Sequence, residues 1–295
     1  MCPHHVTAIQ AHQFREVDGH IAVADPDESE IGEIRRCAGC HRFEPADEAK
    51  HFIDVGDKDP TSNKDRCICL ACCRTLVSTS DDAISLWEQV VNFFEGPLGL
   101  VTDSDSISGV SRQTLMDIPV ILVGIDALNE NMQKESNEHS KSSQIMTRGL
   151  CVSEYSMHSA ESIEVVSILC LSNLPAELTA SILAHECTHA FFKLHPNFRY
   201  KGPLPHMVEE GLCQLVAFLF LSQHSDELGE STEDDGDDAI PSDAKLRQYF
   251  KFCIETDESV YGRGFRMAAR AYAKMGMQDL LYYIALNRDF PPVEE

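Results

Sequence analysis

Ser181-Ile182-Leu183-Ala184-His185-Glu186-Cys187-Thr188-His189-Ala190-Phe191 is the segment that says most about the architecture of this chain. Its apolar residues are spaced as in a helix, which we predict to be capped near Asn173 and to end at about Leu194. Residues four positions apart lie on one face of a helix, so His185 and His189 project together. Two neutral imidazoles placed in this way can bind one Zn²⁺, and the pattern therefore predicts a zinc site.

Glu186 directly follows the first histidine and is predicted to face the open side of the metal. There its carboxylate can take a proton from zinc-bound water and pass it to a leaving amine. The apolar segment 164–171 ahead of the helix has the composition of a strand, and zinc peptidases of this design place an edge strand along the cleft. The pattern therefore predicts a zinc peptidase site with Glu186 as the general base.

A site with two histidines needs a third protein ligand, while the fourth position is left to water. Val208-Glu209-Glu210-Gly211 opens the next predicted helix and offers two carboxylates. We favour Glu210, because Gly211 after it lets the second helix approach the first closely. Glu209 remains the alternative ligand; otherwise it would orient a histidine from outside the metal. Three nearby residues could line the cleft or stabilise the oxyanion and are left unassigned: His195, His206 and Tyr261.

A second group of metal ligands is predicted nearer the N-terminus. Cys37-Ala38-Gly39-Cys40 and Cys69-Leu70-Ala71-Cys72 are two CxxC pairs, and their spacing can close a tetrahedral four-cysteine zinc site. Because all four positions are filled, such a site is structural. Cys67 and Cys73 crowd the second pair, so its register stays open by a residue or two. The sequence thus predicts one catalytic and one structural zinc ion.

Composition limits the classes of function. The chain has 295 residues and a formal net charge of −24, with 24 Lys+Arg against 48 Asp+Glu. Such a surface repels phosphate backbones and anionic membranes, so we expect protein substrates and no nucleic-acid or membrane partner. The 12 cysteines are grouped like metal ligands, and neither a secretion signal nor a membrane-spanning run is recognised. We therefore expect a reducing compartment, the cytoplasm, with the nucleus as a second option.

The segments together predict an α+β chain in three parts. Residues 1–36 are expected to be poorly structured, with Cys2-Pro3-His4-His5 as the remnant of a half zinc finger. Residues 37–80 form the four-cysteine zinc module, and residues 81–290 form the peptidase domain, a small sheet followed by a helical half. Within that domain, 83–94 should be an amphipathic helix stopped by Gly96-Pro97, and 226–240 an acidic loop.

Several stretches resemble those of the ubiquitin-activated LIM-type zinc peptidases that limit organ size in plants, the DA-one group. The resemblance implies a LIM-like zinc module ahead of a peptidase domain of the gluzincin type. It also implies regulatory proteins as substrates, including ubiquitin-pathway enzymes, and activation by ubiquitination. The stretches that carry it are Cys37-Ala38-Gly39-Cys40, Cys69-Leu70-Ala71-Cys72, Thr147-Arg148-Gly149-Leu150-Cys151-Val152-Ser153-Glu154, Ser181-Ile182-Leu183-Ala184-His185-Glu186, Val208-Glu209-Glu210-Gly211-Leu212-Cys213-Gln214 and Val260-Tyr261-Gly262-Arg263-Gly264-Phe265-Arg266.

The sequence departs from the well-known members of that group in two features. Their ubiquitin-interacting helices and their full LIM domain are not recognised here, so ubiquitin-linked regulation carries over less well than the active-site chemistry. An alternative therefore stays open: a latent or inactive peptidase-fold adaptor that binds ubiquitin-pathway partners through its zinc module. A nucleic-acid-binding zinc protein is a third reading, which the net charge of −24 opposes.

Overall fold

The structure is a computed structural model that describes residues 35–45, 51–58, 65–102, 110–135, 148–155, 163–199, 201–223 and 243–292. Its architecture is mixed α/β, and the strands precede a helical second half. The predictions for Cys2-Pro3-His4-His5 and for the acidic loop at 226–240 fall outside the described residues. Within these ranges, no helix is both long enough and apolar enough to span a membrane.

The N-terminal part of the described chain is built on short strands. β1 (Phe52–Lys58) pairs antiparallel with β2 (Asp65–Cys69), and the one-turn helix α1 (Leu70–Cys73) follows at once. β3 (Leu76–Val77) pairs antiparallel with β7 (Leu174–Pro175), far along the chain. This small ladder ties the N-terminal part to the backbone just ahead of the helix that carries the two histidines.

A three-stranded mixed sheet forms the centre of the strand-rich half. β6 (Ile163–Leu171) lies between β4 (Val120–Val123), to which it is parallel, and β5 (Gly149–Tyr155), to which it is antiparallel. The second half of β6 is continuously buried, as expected for an apolar strand covered on both faces. The predicted strand 164–171 is therefore central. β4 and β5 are the edge strands, and β5 is the one whose Gly149 lies against Ile182 and Glu186.

The amphipathic helix predicted for 83–94 is present as α2 (Ser80–Glu95). It begins at Thr79, whose hydroxyl oxygen accepts a hydrogen bond from the Asp82 backbone N–H at 3.3 Å, a typical N-cap. It ends at Gly96. Trp87 is buried at its centre and donates its ring N–H to the Leu115 carbonyl at 3.0 Å. Two shorter helices flank β4: α3 (Arg112–Met116) and α4 (Ile125–Glu135).

The second half of the chain is helical and contains α5 (Ala176–Leu194), α6 (Pro196–Arg199), α7 (His206–Gln223), α8 (Asp243–Thr256) and α9 (Val260–Asn287). α5 is the central helix, because it packs against β6, α2 and α7 and is buried around most of its circumference. Its N-cap is Pro175, so the predicted cap at Asn173 is wrong. Asn173 has a φ of 59°, and the two residues after it are held in β7.

Two glycines allow α7 and α9 to cross at backbone contact. A Cβ atom on Gly211 would lie 2.4 Å from the carbonyl carbon of Gly264, and one on Gly264 would lie 2.3 Å from the Met207 carbonyl oxygen. Side chains at either position would force the helices apart. Gly211 therefore serves the contact with α9, and the prediction that it permits the approach of α7 to α5 is wrong.

The cysteine-rich part shares its hydrophobic core with the rest of the chain. One cluster of buried residues joins Cys37, Phe52 and Ile68 to Leu128 of α4 and Leu178 of α5. The CxxC turn is packed closely against the start of α5, because a Cβ on Gly39 would lie 2.9 Å from Pro175 Cδ. The cysteine-rich part therefore packs directly against the helix that carries the two histidines and does not form a separate globular unit.

Candidate active site and metal centres

The two predicted histidine ligands lie side by side on α5 and face α7. The ring centroids of His185 and His189 are 5.0 Å apart. Glu210 of α7 reaches both of them: its Oε2 atom lies 3.1 Å from His185 Nε2 and 3.6 Å from His189 Nε2. The structure thus brings the three favoured ligands together from two helices, with one donor atom from each.

The distances from Glu210 Oε2 to the two ring nitrogens, 3.1 and 3.6 Å, are close to the separations that a zinc ion requires. Zinc bonds to nitrogen and oxygen of about 2.0–2.2 Å at tetrahedral angles place ligand atoms about 3.3–3.6 Å apart. Glu210 Oε2 is also a buried atom without a hydrogen-bond partner. Two ring nitrogens lie near it, but neither has hydrogen-bond geometry toward it. A buried carboxylate oxygen left in this way destabilises the protein, and a cation held between the three groups would satisfy it. The residues therefore fit a zinc ion.

Glu209 occupies a different place from Glu210. Its Oε1 atom lies 2.8 Å from His189 Nδ1, on the opposite side of the ring from the Nε2 atom that faces Glu210. A carboxylate in this position accepts the Nδ1 proton and leaves Nε2 free for a metal. Burial alone would lower the pKa of His189, but Cys213 and the two glutamates outweigh it and raise that pKa well above its usual value.

Cys213 is a rival third ligand that the sequence reasoning missed. Its sulfur and one nitrogen from each of His185 and His189 all lie within 4.8 Å of one another. We assign the ligand role to Glu210 because its Oε2 atom lies 3.1 Å from His185 Nε2 and its carboxylate is ionised, whereas burial raises the pKa of the Cys213 thiol to about 12. Cys213 is fully buried on α7, one turn after Glu210. The three-residue spacing from Glu210, which places both on one helix face, was the sequence signal that could have identified it as a candidate ligand.

Glu186 lies on α5 and lines a cavity of about 1200 Å³. Its side chain is largely buried, with 7% of the residue exposed. Gly149 at the start of β5 packs against it: a Cβ atom there would lie 2.7 Å from Glu186 Oε1 and 2.5 Å from Ile182 Cγ2. The absence of a side chain at Gly149 therefore sets the distance between the edge strand and the predicted general base.

The three residues left unassigned, His195, His206 and Tyr261, have different positions relative to the cavity. Tyr261 lines the cavity, and its ring packs edge-on against His206 at 5.7 Å. Burial raises the pKa of Tyr261, so the phenol stays protonated and able to donate. His206 Nδ1 lies 3.6 Å from Glu210 Oε1. His195 packs instead against two phenylalanine rings at 5.1 and 5.4 Å and does not line the cavity.

The four predicted cysteines form a buried cluster. The sulfur atoms of Cys37, Cys40, Cys69 and Cys72 lie within 4.8 Å of one another, and Cys40 Sγ and Cys69 Sγ are 3.6 Å apart. Zinc–sulfur bonds of about 2.3 Å imply sulfur separations of about 3.8 Å in a tetrahedral site. Hydrogen bonds from the three neighbouring thiols hold the pKa of Cys37 well below its usual range. The cluster thus fits a closed zinc site.

The two crowding cysteines lie outside this cluster. Cys67 donates its thiol to the Arg36 carbonyl oxygen at 3.3 Å and is not one of the four clustered sulfurs. Cys73 follows Cys72 in α1 and is half-buried. The register that the sequence left open is therefore Cys69 with Cys72.

One cavity connects the cysteine cluster to the active-site helix. Its lining includes Cys37, Ala38 and His41 on one side and Glu186 and Tyr261 on the other. The edge strand β5 borders the same space through Gly149, Leu150 and Cys151. The zinc module therefore contributes one wall of the candidate active site, an arrangement that the sequence did not predict.

Comparison with known proteins confirms the resemblance predicted from the sequence. Residues 155–287 match the DA1-like family, described as Protein DA1. Protein DA1 of Arabidopsis thaliana is 32% identical over 290 residues, which are 87% of this chain and 49% of that protein. Protein DA1-related 1 of the same species is 30% identical, over 87% of this chain and 48% of that protein. LIM domain-containing protein HDR3 of Oryza sativa subsp. japonica is 27% identical, over 87% and 54%.

The chain spans about half the length of the curated relatives it matches. The family match at 155–287 includes both histidines, Glu186 and the two candidate glutamates, whereas the cysteine cluster lies before it. No solved structure matches the chain significantly. The chemistry must therefore be argued from the site itself.

Proposed function

This chain belongs to the DA1 family, and we propose that it is a zinc metalloendopeptidase of the gluzincin type that cleaves regulatory proteins. In this proposal His185, His189 and Glu210 hold the catalytic zinc, and Glu186 is the general base. The four-cysteine cluster holds a second, structural zinc. Cleavage of regulatory proteins, ubiquitin-pathway enzymes among them, is what the family resemblance implies, and it stays a prediction for this chain.

The single observation that carries the proposal is the convergence on Glu210 Oε2. Two ring nitrogens from one helix and a carboxylate oxygen from another meet at 3.1 and 3.6 Å, and the oxygen is buried without a hydrogen bond. Three protein ligands facing an open cavity are typical of a catalytic zinc site, since the fourth position is left to water or substrate. When bound, zinc would lower the pKa of a water molecule and polarise the scissile carbonyl.

Glu186 is placed to move the proton during hydrolysis. It lines the cavity from the same helix as both histidines, and no ion pair with another described residue holds it. Its carboxylate would accept a proton from the attacking water and transfer it to the nitrogen of the departing amine. Closing off water around such a group strengthens its effect, and its 7% exposure fits this role.

The substrate backbone has a natural place along β5. That strand pairs with β6 on one side only, and residues Gly149 to Cys151 line the cavity. An extended peptide could therefore add to the sheet edge beside Glu186. Tyr261 enters from α9, and its protonated phenol is our candidate for the hydrogen bond to the oxyanion that develops during attack.

The proposal is tested by combining zinc analysis with cleavage of a degenerate peptide library by the purified chain. We expect about two zinc ions per chain and cleavage that Glu186→Gln reduces by about 10²–10⁴-fold with both ions retained. Glu88→Gln, an exposed glutamate on α2, is the matched control and should cleave like wild type.

Two outcomes would count against the proposal. If Glu186→Gln cleaves as fast as wild type, the assigned base is wrong. If the cysteine site is full while the histidine site takes up no zinc and nothing is cleaved, the latent adaptor is the better description. In that case the zinc module, and not the helix pair, would be the functional surface.

A further inference from the structure

Arg148 is a cationic side chain that the proposed chemistry does not use. It immediately precedes β5, so it is the neighbour of Gly149, which packs against Glu186. It lines the same cavity as Glu186 and the zinc ligands. Any peptide that lies along β5 with its scissile bond near Glu186 would therefore pass close to this guanidinium.

The contacts of Arg148 leave much of its hydrogen-bonding capacity unused. Within the described part of the chain only its Nη2 atom is engaged, at 3.3 Å from the Ala38 carbonyl oxygen and 2.6 Å from His41 Nε2. Among the described residues, no acceptor binds Nε or Nη1. Neither atom is among the sealed, unpaired polar atoms of that part of the chain, so both are reachable from the cavity.

Arg148 also has no carboxylate partner within the described part of the chain. His41, whose Nε2 atom lies 2.6 Å from Arg148 Nη2, offers an imidazole and no carboxylate. Two neighbouring arginines differ: Arg66 pairs with Asp57 at 3.0 Å, and Arg35 pairs with Glu44 and Asp54. A guanidinium without a carboxylate partner retains donors that the carboxylate of a ligand can occupy.

The charges around the cavity are unevenly divided. The catalytic helices contribute three glutamates and one lysine to its lining, namely Glu186, Glu209, Glu210 and Lys193. The zinc module, the two residues before it and the start of β5 contribute four arginines and one carboxylate: Arg35, Arg36, Arg66, Arg148 and Asp65. This grouping of arginines occurs in a chain with a net charge of −24. The wall opposite the catalytic helices is therefore suited to an anionic group, and Arg148 is the arginine of this wall that directly precedes β5.

We propose that Arg148 is a specificity-determining residue that binds an acidic side chain, Asp or Glu, of the substrate peptide. This inference rests on the proposed peptidase function and adds a substrate class to it. A carboxylate beside the guanidinium would receive charge-assisted hydrogen bonds from donors that are now unpaired. Peptides with an amide at that position would lose these bonds and bind at least about tenfold more weakly.

The test profiles cleavage of a library of decapeptides with acetylated and amidated ends, so that Asp and Glu are the only carboxylates. Wild type should enrich Asp or Glu by about tenfold or more at one fixed position relative to the cleaved bond. Arg148→Gln should abolish that enrichment, and Arg148→Glu should favour Lys or Arg there. Arg35→Gln, which removes a cavity-lining arginine that already has two carboxylate partners, is the matched control and should retain the wild-type profile.

A binding arm separates this inference from the peptidase proposal. The same library is passed over immobilised, zinc-loaded protein with Glu186→Gln, and the retained peptides are sequenced with and without Arg148→Gln. Acidic peptides retained only when Arg148 is present, without any cleavage by wild type, would support the subsite and refute the peptidase. Cleavage without acidic enrichment would do the reverse.

An alternative role for Arg148 is to balance the negative charge of a zinc ion with four thiolates, since it contacts the backbone at Ala38. Zinc content and thermal melting of Arg148→Gln measure that role directly. If the variant loses the zinc of the cysteine site and the wild-type profile shows no acidic enrichment, Arg148 is purely structural and the inference is overturned.

Discussion

The two proposed metal centres of this chain are built in opposite ways. The cysteine centre takes its ligands from two CxxC pairs, and its members are 0–8% exposed. The histidine centre takes its ligands from α5 and α7, and the side chains of His185, His189 and Glu210 are 13–15% exposed and border a cavity. A closed set of four sulfurs has no position for a substrate, whereas an open set of three ligands has one.

The difference assigns the two centres different tasks although they share a core. The cysteine centre holds one wall of the cavity in place against α5. Gly39 packs against Pro175, the N-cap of α5, and β3 pairs with β7. The histidine centre lies about three to four turns further along the same helix. We therefore expect loss of the first zinc to affect folding and, through it, activity, whereas loss of the second should affect activity alone.

The largest expected effect follows loss of a sulfur ligand. Cys72→Ser should release the structural zinc and lower the free energy of unfolding by more than about 4 kcal/mol, because the metal is part of the core. Thermal or denaturant unfolding with zinc analysis measures it. Cys73→Ser is the matched control, since this neighbouring cysteine is half-buried and outside the cluster. Equal, small effects of both substitutions would show that the cluster is not a folding element.

The next effect distinguishes the two adjacent glutamates of the histidine centre. Glu210→Gln should abolish zinc binding at that centre and lower cleavage more than about 10³-fold, with unchanged melting of the cysteine module. Glu209→Gln should lower zinc affinity by only about 10–100-fold, the range for a residue that orients a ligand. Zinc titration against a chelator, with cleavage of the same peptide, measures both. The reverse order of effects would make Glu209 the ligand.

The contrast between the centres also explains what the sequence could predict. Ligands that are close along a helix or within a turn can be read directly, as for His185 with His189 and for Cys37 with Cys40. Glu210 was favoured over Glu209 for a reason that the structure replaces: Gly211 contacts Gly264 of α9. Helix direction, and not the following glycine, points one carboxylate at the metal site and the other at His189 Nδ1.

Contacts between distant segments could not be read from spacing. Nothing in the local pattern of Arg148 and Gly149 indicates that they face Ala38 and Glu186, because strand pairing and the shared core bring them there. The edge strand was likewise assigned to 164–171, the most apolar segment, although burial on both faces marks that segment as central. An edge strand beside a cavity is less apolar, and that composition was the signal available for β5.

A smaller loss of activity is expected from a substitution where β5 packs against Glu186, the proposed general base. Gly149→Ala would place a methyl group 2.7 Å from Glu186 Oε1 and 2.5 Å from Ile182, so β5 or Glu186 must shift. A displacement of about 1 Å at a reacting group can lower the rate about 10²-fold. Steady-state cleavage measures it, and both zinc ions should remain. Gly124→Ala, whose Cβ would meet only the Asp57 side chain at 3.3 Å, is the control and should cleave normally.

The smallest effect should come from Cys213, the sulfur nearest the histidine centre. If Glu210 is the third ligand, Cys213→Ala removes only a buried packing group and should lower stability by about 1 kcal/mol, with zinc affinity and cleavage within a few-fold of wild type. Zinc loss as complete as in Glu210→Gln would instead make Cys213 a ligand. The open centre would then contain sulfur as the closed one does, and a carboxylate ligand would no longer distinguish the two.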